Sequence, residues 1–265
     1  MPPRILKYPR TPHLEGSRLQ PGDEDLSQVP FSEIAGRHIV IEEKIDGANT
    51  AVSFDEDGTL LLQSRGHYLT GGYREKHYDL FKQWASAHVG SLRDKLGARY
   101  IMYGEWMYAK HTVYYDALPH YFMEFDLYDR ETGRFLDTPS RRNVTTGLPV
   151  SSVPVLAEGI FERESEVLKH LGDSRFITEG HLSRLRETAE RMGLDADRIL
   201  RETDPSRTME GLYIKVEAGG EVAMRVKYVR GSFLQTVEQS QTHWLERPIV
   251  PNGLSCPPEK LFGTL

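Results

Sequence analysis

The stretch E-K-I-D-G-A-N-T, residues 43–50, decides the fold, because it places a lysine where a strand ends. It follows R-H-I-V-I-E at 37–42, a run of strand-forming residues, so Lys44 stands at the end of an apolar segment where the chain turns. A single lysine is most often a solvated surface charge. The rest of the chain has to show whether this one takes part in chemistry.

The composition is that of an ordinary globular protein. The 265 residues are 38% hydrophobic, 10% aromatic and 27% charged, which is enough to bury the core of one large domain or two small ones. No run of about 18 apolar residues and no apolar signal segment is present, so we expect neither a membrane span nor secretion. One cysteine, Cys256, rules out an internal disulfide and argues against a cysteine zinc site. We expect a reducing, cytoplasmic location.

The charge distribution leaves room for a polyanionic partner. The formal net charge is −6 at pH 7, yet eight lysines and arginines stand against four acids between Leu61 and His111. Nine aromatic residues share this segment, and basic groups interleaved with rings suit phosphate contact and base stacking. A solvated helix face over an aromatic core explains the same pattern equally well.

Two-residue periodicity predicts antiparallel sheets. The turn sequence D-E-D-G at 55–58 lies between two alternating segments and predicts a hairpin. A second hairpin is predicted around A-G-G at 218–220. The predicted strands cover 38–44, 50–54, 59–64, 99–108, 120–129, 154–161, 210–217 and 222–229.

Helical spacing is found at 73–89, which predicts a helix of about four turns, and again at 162–171 and 180–192. The result is an α+β fold, with antiparallel sheets and flanking helices. We divide the chain into an N-terminal arm at 1–35, a main domain at 36–230 with a helical insert at about 162–205, and a short tail at 231–265.

Charged residues occupy the predicted strands at positions where an apolar strand would not need them. Acids there can hold a divalent metal, and lysines can neutralise phosphates. Their spread over separate strands predicts a site for a charged nucleotide. These residues are Lys44, Asp46, Glu105, Glu210, Lys215, Arg225 and Lys227, with Arg65 following the first hairpin.

Six short motifs along the chain resemble those of the covalent nucleotidyltransferases, the superfamily of ATP-dependent DNA and RNA ligases and mRNA capping enzymes. A lone K-x-D-G would be a weak signal, whereas six motifs in order over about 185 residues are a strong one. The motifs are K-I-D-G at 44–47, S-R-G at 64–66, Y-G-E-W at 103–106, F-M-E-F-D-L-Y-D at 122–129, M-E-G-L-Y-I-K at 209–215 and R-V-K at 225–227.

Two details make the chain similar to the RNA ligases of this superfamily, in particular those like phage T4 RNA ligase 2. Asn49 stands where DNA ligases and capping enzymes usually have arginine, and the segment 104–126 is rich in aromatic residues. The resemblance covers about 37–230. It implies an ATP-dependent RNA ligase with a nucleotidyltransferase fold, of the kind also described as ATP-grasp-like.

The resemblance also implies a role for each site residue. Lys44 would carry AMP covalently, with ATP and Mg²⁺ or Mn²⁺ as cofactors. Glu105 would hold the ribose hydroxyl and, with Glu210, the metal. Asp46 and Asn49 would contact the nucleotide or the reacting ends, and Arg65 would contact the ribose or RNA terminus. Phe125 would contact adenine, Lys215 and Lys227 the α-phosphate, and Arg225 would clamp a phosphate. Glu43 and Ile45 would line the cofactor pocket.

The chemistry expected of Lys44 depends on its protonation. An amine attacks phosphorus only when neutral, and the ordinary lysine pKa of about 10.4 leaves almost none neutral at pH 7. Neighbouring cations disfavour the ammonium form. We therefore predict that Lys215, Lys227 and a bound metal lower the pKa of Lys44.

Plainer interpretations exist for several of these residues. Phe125 on a strand is more often a core residue, and Glu210 can be an edge charge that discourages sheet pairing. Four histidines lack zinc-site spacing and are interpreted as surface or RNA-proximal groups, namely His67, His77, His111 and His120.

Alternative functions also remain. The same fold can be a nucleotide- or RNA-binding module that has lost strand joining, or a capping-type guanylyltransferase. Only 35 residues, 231–265, follow the main domain, which is too few for an OB-fold, so we expect a minimal ligase. RNA or a nicked RNA-containing duplex is the expected substrate, with an end-healing protein as a candidate partner and RNA repair as the expected context.

Overall fold

The computed structural model describes residues 3–19, 23, 26–240 and 247–263. Within these residues, strands from distant parts of the chain assemble into two mostly antiparallel sheets. The strands are β1 (His13–Leu14), β2 (Gln28–Val29), β3 (His38–Lys44), β4 (Ala48–Phe54), β5 (Leu60–Ser64), β6 (Tyr100–Trp106), β7 (Phe122–Asp129), β8 (Arg134–Phe135), β9 (Ser151–Ser152), β10 (Val155–Ile160), β11 (Gly211–Ala218) and β12 (Glu221–Val229).

Short helices flank the sheets. The α-helices are α1 (Asp79–Ala87), α2 (Val89–Leu96), α3 (Thr138–Thr145), α4 (Glu164–Leu168), α5 (His181–Arg191), α6 (Ala196–Arg201) and α7 (Gly231–Ser240), and 3₁₀ turns lie at Phe31–Glu33, Tyr73–Tyr78 and Pro258–Phe262. None of the helices in the described part of the chain is both long and apolar enough to cross a membrane.

Sheet A has the strand order β10-β3-β11-β12-β1-β2, and sheet B the order β5-β4-β6-β7-β8 with β9 beside β7. In sheet A, β3 pairs antiparallel with β11 so that Lys44 lies opposite Gly211. In sheet B, β4 pairs antiparallel with β6 so that Asn49 lies opposite Glu105. The second register places two predicted site residues at facing positions, and the first brings Lys44 beside the start of β11, which Glu210 directly precedes.

The K-I-D-G segment is the point where the chain crosses from sheet A to sheet B, since β3 and β4 belong to different sheets. A Cβ on Gly47 would lie 2.5 Å from the sulfur of Met107 and 3.3 Å from the carbonyl oxygen of Trp106. A side chain at this position would have to displace the Met107 thioether and press on the backbone of Trp106, so glycine is the residue that fits the crossing without such shifts.

The predicted hairpins are confirmed. Asp55 Oδ1 accepts hydrogen bonds from the backbone N–H groups of Asp57 (3.1 Å) and Thr59 (2.8 Å), and Gly58 adopts φ +77° between β4 and β5. The left-handed conformation at Gly58 is one that glycine adopts without strain. The β11–β12 hairpin turns at Gly219 and Gly220, both also at positive φ.

Among the aromatic residues of the basic segment whose side chains are described, all but Tyr68 belong to or pack against the core beneath sheet B. The rings of Phe81 and Trp84 on α1 stack on Phe122 of β7, with centroids 5.6 and 5.1 Å from it. Tyr78, Tyr103 and Trp106 are buried in the same cluster. The described side chains of this segment therefore favour a helix over an aromatic core, rather than a row of base-stacking rings; Tyr73 lies outside the described side chains.

Several local predictions were wrong. The helix predicted over 73–89 is a 3₁₀ turn followed by α1 and α2, which are separated at His88. Helix α3 was missed, although Asp137 caps it and Pro139 stands in its first turn, both of which are helix-start signals. Part of the arm is not loop, because β1 and β2 extend sheet A.

The histidine interpretation also needs correction. His77, His111 and His120 are each 5% exposed or less, and His67 is exposed. Burial arises because these three residues lie under the aromatic core or behind the K-I-D-G crossing, which the sequence pattern does not reveal.

Candidate active site

Lys44 lies at the end of β3 with its amine against a carboxylate from the next strand. Its Nζ is 2.6 Å from Oε2 of Glu210, the residue immediately before β11. The antiparallel register that sets Lys44 opposite Gly211 brings these two side chains together. A Cβ on Gly211 would meet the carbonyl oxygen of Tyr228 at 1.9 Å, so only glycine permits β11 to approach β12 there.

The facing side of the site comes from sheet B. Glu105 of β6 and Asn49 of β4 are paired neighbours. Gly104 precedes Glu105 at an irregularity of the β6–β7 pairing, and a Cβ on it would lie 2.7 Å from the ring of Phe122. Close packing at Gly104 therefore fixes where Glu105 enters the site.

A pocket opens between the two sheets around these groups. Eight of the predicted site residues line it, namely Glu43, Lys44, Ile45, Asn49, Arg65, Glu105, Phe125 and Lys227. Glu210 is brought into the site by its contact with Lys44. Glu42, Val153 and Tyr213 also line the pocket, together with Tyr8, Pro9 and Thr11 from the arm.

The prediction that neighbouring lysines lower the pKa of Lys44 is wrong, and the part that concerns a bound metal stays a prediction. Burial by itself lowers the pKa of Lys44, but the Glu210 carboxylate, with Glu105 and Asp46, outweighs burial and raises the pKa above its ordinary value. Carboxylates, and not lysines, are the nearest charged groups. Lys44 is therefore an ammonium ion before a ligand binds, and attack on phosphorus requires that it lose a proton.

The two glutamates beside Lys44 are both harder to ionise than free carboxyl groups. Burial raises the pKa of Glu105 to about 8, with Glu210 and Asp46 adding to the rise and Lys44 opposing it. The pKa of Glu210 is also raised by burial. Two acids held close in a partly buried site attract a cation, which is the electrostatic condition for a metal.

A divalent cation fits this pair of acids. No group of three or more His, Cys, Asp or Glu side chains is arranged as a metal cage in the described residues. Mg²⁺, however, is commonly bound by one or two carboxylates together with substrate phosphates. Glu105 Oε2 is buried and has no hydrogen-bond partner among the described residues, so it remains available as a ligand.

Asp46 is placed behind the pocket and not on its lining. Its Oδ2 accepts the backbone N–H groups of Thr112 (2.7 Å) and Val113 (2.9 Å). Burial raises the pKa of Asp46, but hydrogen bonding to His111 and to these N–H groups outweighs it and lowers the pKa to about 2. In this conformation Asp46 is an ionised anchor that holds the crossing segment against the 111–113 loop, and its predicted contact with the nucleotide stays a prediction.

Lys215 and Arg225 lie beneath the pocket in a buried set of charges that we call the floor network. Lys215 Nζ is 2.8 Å from Glu42 Oε2 and 3.1 Å from Asp126 Oδ1, and it is 1% exposed. Arg225 Nε is 2.9 Å from Asp126 Oδ2. The floor network consists of Glu42, Glu124, Asp126, Arg141, Lys215 and Arg225. The structure thus does not bring Lys215 or Arg225 to the pocket surface, and phosphate contact by either stays a prediction.

Arg141 of α3 is the central cation of the floor network and was missed from the sequence. Its Nη2 is 2.7 Å from Glu42 and its Nη1 is 3.6 Å from Glu124. It also donates to the carbonyl oxygen of Phe125. Arg141 therefore fixes Phe125, which packs edge-on to Tyr8 with ring centroids 5.0 Å apart at the pocket. An arginine in a helix with no periodic signal gave no indication of this role.

The arm supplies residues that the sequence did not predict for the site. The Tyr8 hydroxyl donates to Asp126 and lies 2.7 Å from the hydroxyl of Tyr213, which is 2.8 Å from Thr11 Oγ1. The backbone of Leu6 accepts a hydrogen bond from Tyr103. The arm is thereby attached to strands of both sheets and forms one wall of the pocket.

Glu43 faces away from the chemistry. Its neighbours Ile39 and Ile41, at alternate positions of β3, belong to the core on the other side of sheet A. Burial raises the pKa of Glu43 to about 7, opposed by Ser174 and Arg175. Glu43 therefore lines the pocket from the opposite face of β3 to Lys44.

A family model for RNA ligase matches residues 37–229, which include every pocket residue from the two sheets. This chain belongs to the RNA ligase family. The match does not distinguish the branch like phage T4 RNA ligase 2 from others, so that part of the prediction stays open. No curated protein matches the chain.

Solved structures of a Naegleria gruberi RNA ligase resemble this family member in fold. A lysine-to-alanine mutant with ATP and Mn has a TM-score of 0.55 and 15% identity, and the match covers 89% of this chain and 60% of that one. A lysine-to-methionine mutant with AMP and Mn has a TM-score of 0.56 and 15% identity, covering 90% and 60%. The chain thus spans about 60% of the length of that ligase. The likeness confirms the predicted α+β nucleotidyltransferase fold.

Proposed function

We propose that this chain is an ATP-dependent RNA ligase that forms a lysyl-AMP intermediate on Lys44, passes the AMP to an RNA 5′-phosphate and joins that end to a 3′-hydroxyl in RNA repair. The observation that supports this most directly is the contact of Lys44 with Glu210 inside a pocket lined by acids and cations from both sheets. Family membership and the ATP- and AMP-bound structures of the Naegleria ligase also support it.

The first step is adenylylation of Lys44. A new bond forms between Nζ and the α-phosphorus of ATP, the bond from that phosphorus to the bridging oxygen breaks, and its electron pair leaves with pyrophosphate. Glu210, 2.6 Å from Nζ, is placed to accept the proton that the ammonium must lose. Glu105 and Glu210 would hold a divalent cation, which would supply positive charge that favours the neutral amine and the leaving phosphates.

The pocket also accounts for nucleotide binding. Phe125 and Tyr8 form an aromatic wall on which a base can stack, and Val153 and Tyr213 extend it. Lys227 and Arg65 provide positive charge for phosphates or an RNA end. Asn49 beside Glu105 offers donors and acceptors for a ribose.

Two further steps complete the reaction. The RNA 5′-phosphate attacks the phosphorus of lysyl-AMP, and Lys44 leaves as an amine that regains a proton. A 3′-hydroxyl then attacks the 5′-phosphorus, a phosphodiester bond forms and AMP leaves. Each step exchanges one bond to phosphorus for another, so no external oxidant or reductant is needed.

The test is covalent labelling. The protein is incubated with α-labelled ATP and Mg²⁺ or Mn²⁺, denatured and assayed for retained label, which Lys44→Ala is expected to abolish. Lys227→Ala is expected to retain the site of attachment with a reduced rate. Label that persists in Lys44→Ala ends the proposal.

Substrate and cofactor are separated in parallel assays. Nicked RNA duplexes, RNA-over-DNA nicks and single strands are supplied with ATP, and the sealed product is measured. A chain that accepts label but seals none of them is a nucleotide-binding module with a degenerate reaction. Stronger labelling by GTP than by ATP would instead favour a capping-type guanylyltransferase.

A further inference from the structure

A carboxylate from the arm is held by three donors at the edge of the pocket. Arg10 Nη2 is 3.0 Å from Oδ1 of Asp23, and His13 Nε2 is 3.2 Å from Oδ2. Lys227 Nζ also donates to Oδ2. Both oxygens of one carboxylate are therefore engaged by two cations and an imidazole, an arrangement that binds oxyanions in general.

This cluster is continuous with the pocket of Lys44. Lys227 is one of the pocket-lining residues and lies close enough to Lys44 that, after burial, the charge of Lys44 lowers the pKa of Lys227. Asp23 thus supplies the anion that offsets a positive region directly beside the proposed nucleophile. A phosphate group entering the pocket would meet the same cations.

His13 is fixed as a neutral donor by its own partners. Its Nδ1 lies 2.7 Å from Ser17 Oγ, which also accepts the backbone N–H of Val229 at 2.9 Å. Because the Asp23 carboxylate facing Nε2 can only accept, the ring proton is assigned to Nε2. His13 is fully buried, and burial followed by the charge of Lys227 lowers its pKa. A buried N–H aimed at a carboxylate will serve a phosphate oxygen equally well.

We propose that Arg10, His13 and Lys227 form a phosphate-binding subsite of this pocket, and that the Asp23 carboxylate occupies the subsite until a phosphate group of the ligand displaces it. The inference rests on the proposed function, since it concerns the same pocket. Arg10, His13 and Asp23 all precede residue 37, where the match to the family model begins. The phosphate is supplied either by the pyrophosphate portion of ATP or by the 5′-phosphate of an RNA end.

The opposite interpretation is that Asp23 is a permanent ion-pair partner that positions Lys227. The two interpretations differ in sign. If Asp23 competes with the ligand, a weaker contact between Asp23 and the three donors raises the fraction of protein that can bind phosphate, and the ligand binds more tightly. If Asp23 only positions Lys227, a weaker contact between Asp23 and Lys227 leaves Lys227 less well placed, and the ligand binds less tightly.

The experiment measures binding of inorganic pyrophosphate and of a 5′-phosphorylated RNA dinucleotide by calorimetry, without ATP. Asp23→Asn, which keeps the side-chain shape and removes the charge, is expected to tighten one of the two probes by about tenfold. The probe that responds identifies the source of the phosphate. Glu56→Gln is the matched control, because it removes one acid from the exposed β4–β5 turn, and it should leave both affinities within about twofold.

Arg10→Gln is the second variant and is expected to weaken the responding probe several-fold. Thermal melting of each variant shows that it is folded. Unchanged or weaker binding in Asp23→Asn, or unchanged binding in Arg10→Gln, overturns the proposal. These equilibria involve no covalent step, so they are independent of whether Lys44 accepts AMP, and failure of the labelling assay would leave them interpretable.

Discussion

Two groups of buried charge lie close together in this protein, and they are built differently. The floor network sets three acids against three bases, and all but Arg225 are essentially fully buried. The pocket cluster, which we define as Lys44, Glu105 and Glu210, sets two acids against one base, and Lys44 remains 20% exposed. A balanced set of charges holds the sheets together, whereas an unbalanced one is prepared for a cationic or reactive ligand.

The pKa shifts of Asp126 and Glu105 differ in direction, while burial raises the pKa of Glu124 within the floor network as it does that of Glu105. In the floor network, Arg225, Lys215 and Arg141 overcome the effect of burial and lower the pKa of Asp126 to about 2. In the pocket cluster, one lysine cannot offset burial and neighbouring acids, and the pKa of Glu105 rises to about 8. Burial therefore has opposite net outcomes at Asp126 and Glu105, depending on how many cations are within reach. The comparison can be tested at each of its parts.

The largest effect is expected from Lys44→Arg. Arginine preserves the positive charge facing Glu210 but cannot lose its proton near neutral pH, so covalent labelling should fall by at least about 10³-fold. The melting temperature should stay within a few degrees of the wild type, because the ion pair is retained. Label incorporation and thermal melting measure the two properties. Uptake of label by the Lys44→Arg variant would contradict the assignment of Lys44 as the reactive residue of the pocket cluster.

Arg141→Met tests the floor network. The substitution leaves Glu42 and Glu124 without their main cation in a buried environment, which should cost about 3 to 5 kcal/mol of unfolding free energy. Urea denaturation measures this change. Arg142→Met, in the same helix but exposed, is the matched control and should change stability by no more than about 0.5 kcal/mol. Equal losses in the two variants would mean that Arg141 acts through helix stability and not through the network.

The pH dependence of stability contributed by Glu105 should differ in sign from that contributed by Asp126. Because Glu105 has a pKa of about 8 when folded against an ordinary value of 4.5, the folded protein holds an extra proton between these values. The stabilising contribution of protonated Glu105 is present below pH 4.5 and is lost as the pH rises towards 8. The free energy of unfolding should fall with a slope of up to about 1.4 kcal/mol per pH unit in this range. Glu105→Gln should flatten this slope in urea titrations between about pH 5 and pH 8.

The control for that titration is Glu56→Gln, which should keep the wild-type slope. Asp126 of the floor network has the opposite sign, because its lowered pKa contributes stability that is lost only as the pH falls towards about 2. Glu124, whose pKa is raised by burial, has the same sign as Glu105. An unchanged slope in Glu105→Gln would show that Glu105 is not the origin of the loss at rising pH.

The smallest effect is expected from Tyr8→Phe. It removes the hydroxyl that donates to Asp126 and contacts the hydroxyl of Tyr213. The free energy that holds the arm against the sheets should therefore fall by about 1 to 2 kcal/mol. Proteolysis within the arm, followed with time, should become faster. Tyr108→Phe alters a tyrosine packed on the same core but outside the floor network, and it should leave the arm as resistant as before. Equal protection in both variants would place the attachment of the arm elsewhere.

Most of the fold was predictable, because strands and turns are local patterns. The alternation at 38–44 and the D-E-D-G turn depend on residues within a few positions of one another, and both are found as predicted. The break at His88 and the start of α3 were missed, since the first depends on packing and the second on a weak capping signal.

The candidate site was predictable only in part. The ordered motifs placed Lys44, Glu105 and Phe125 among the residues that line the pocket. They gave no sign of Arg141 or of the arm residues Tyr8 and Asp23, and they predicted the wrong direction for the pKa of Lys44. The motif lysines were taken as its neighbours, whereas its nearest group is the carboxylate of Glu210.

The sequence by itself determined the strand that carries Lys44, the glycine at the crossing between sheets and the order of the motifs. Only the tertiary structure decided which charges meet, because the partners lie 166 residues apart for Lys44 and Glu210 and 99 for Arg141 and Glu42. Local periodicity specifies backbone conformation, but a pKa depends on groups within a few ångströms in space. Those neighbours are set by sheet pairing and packing.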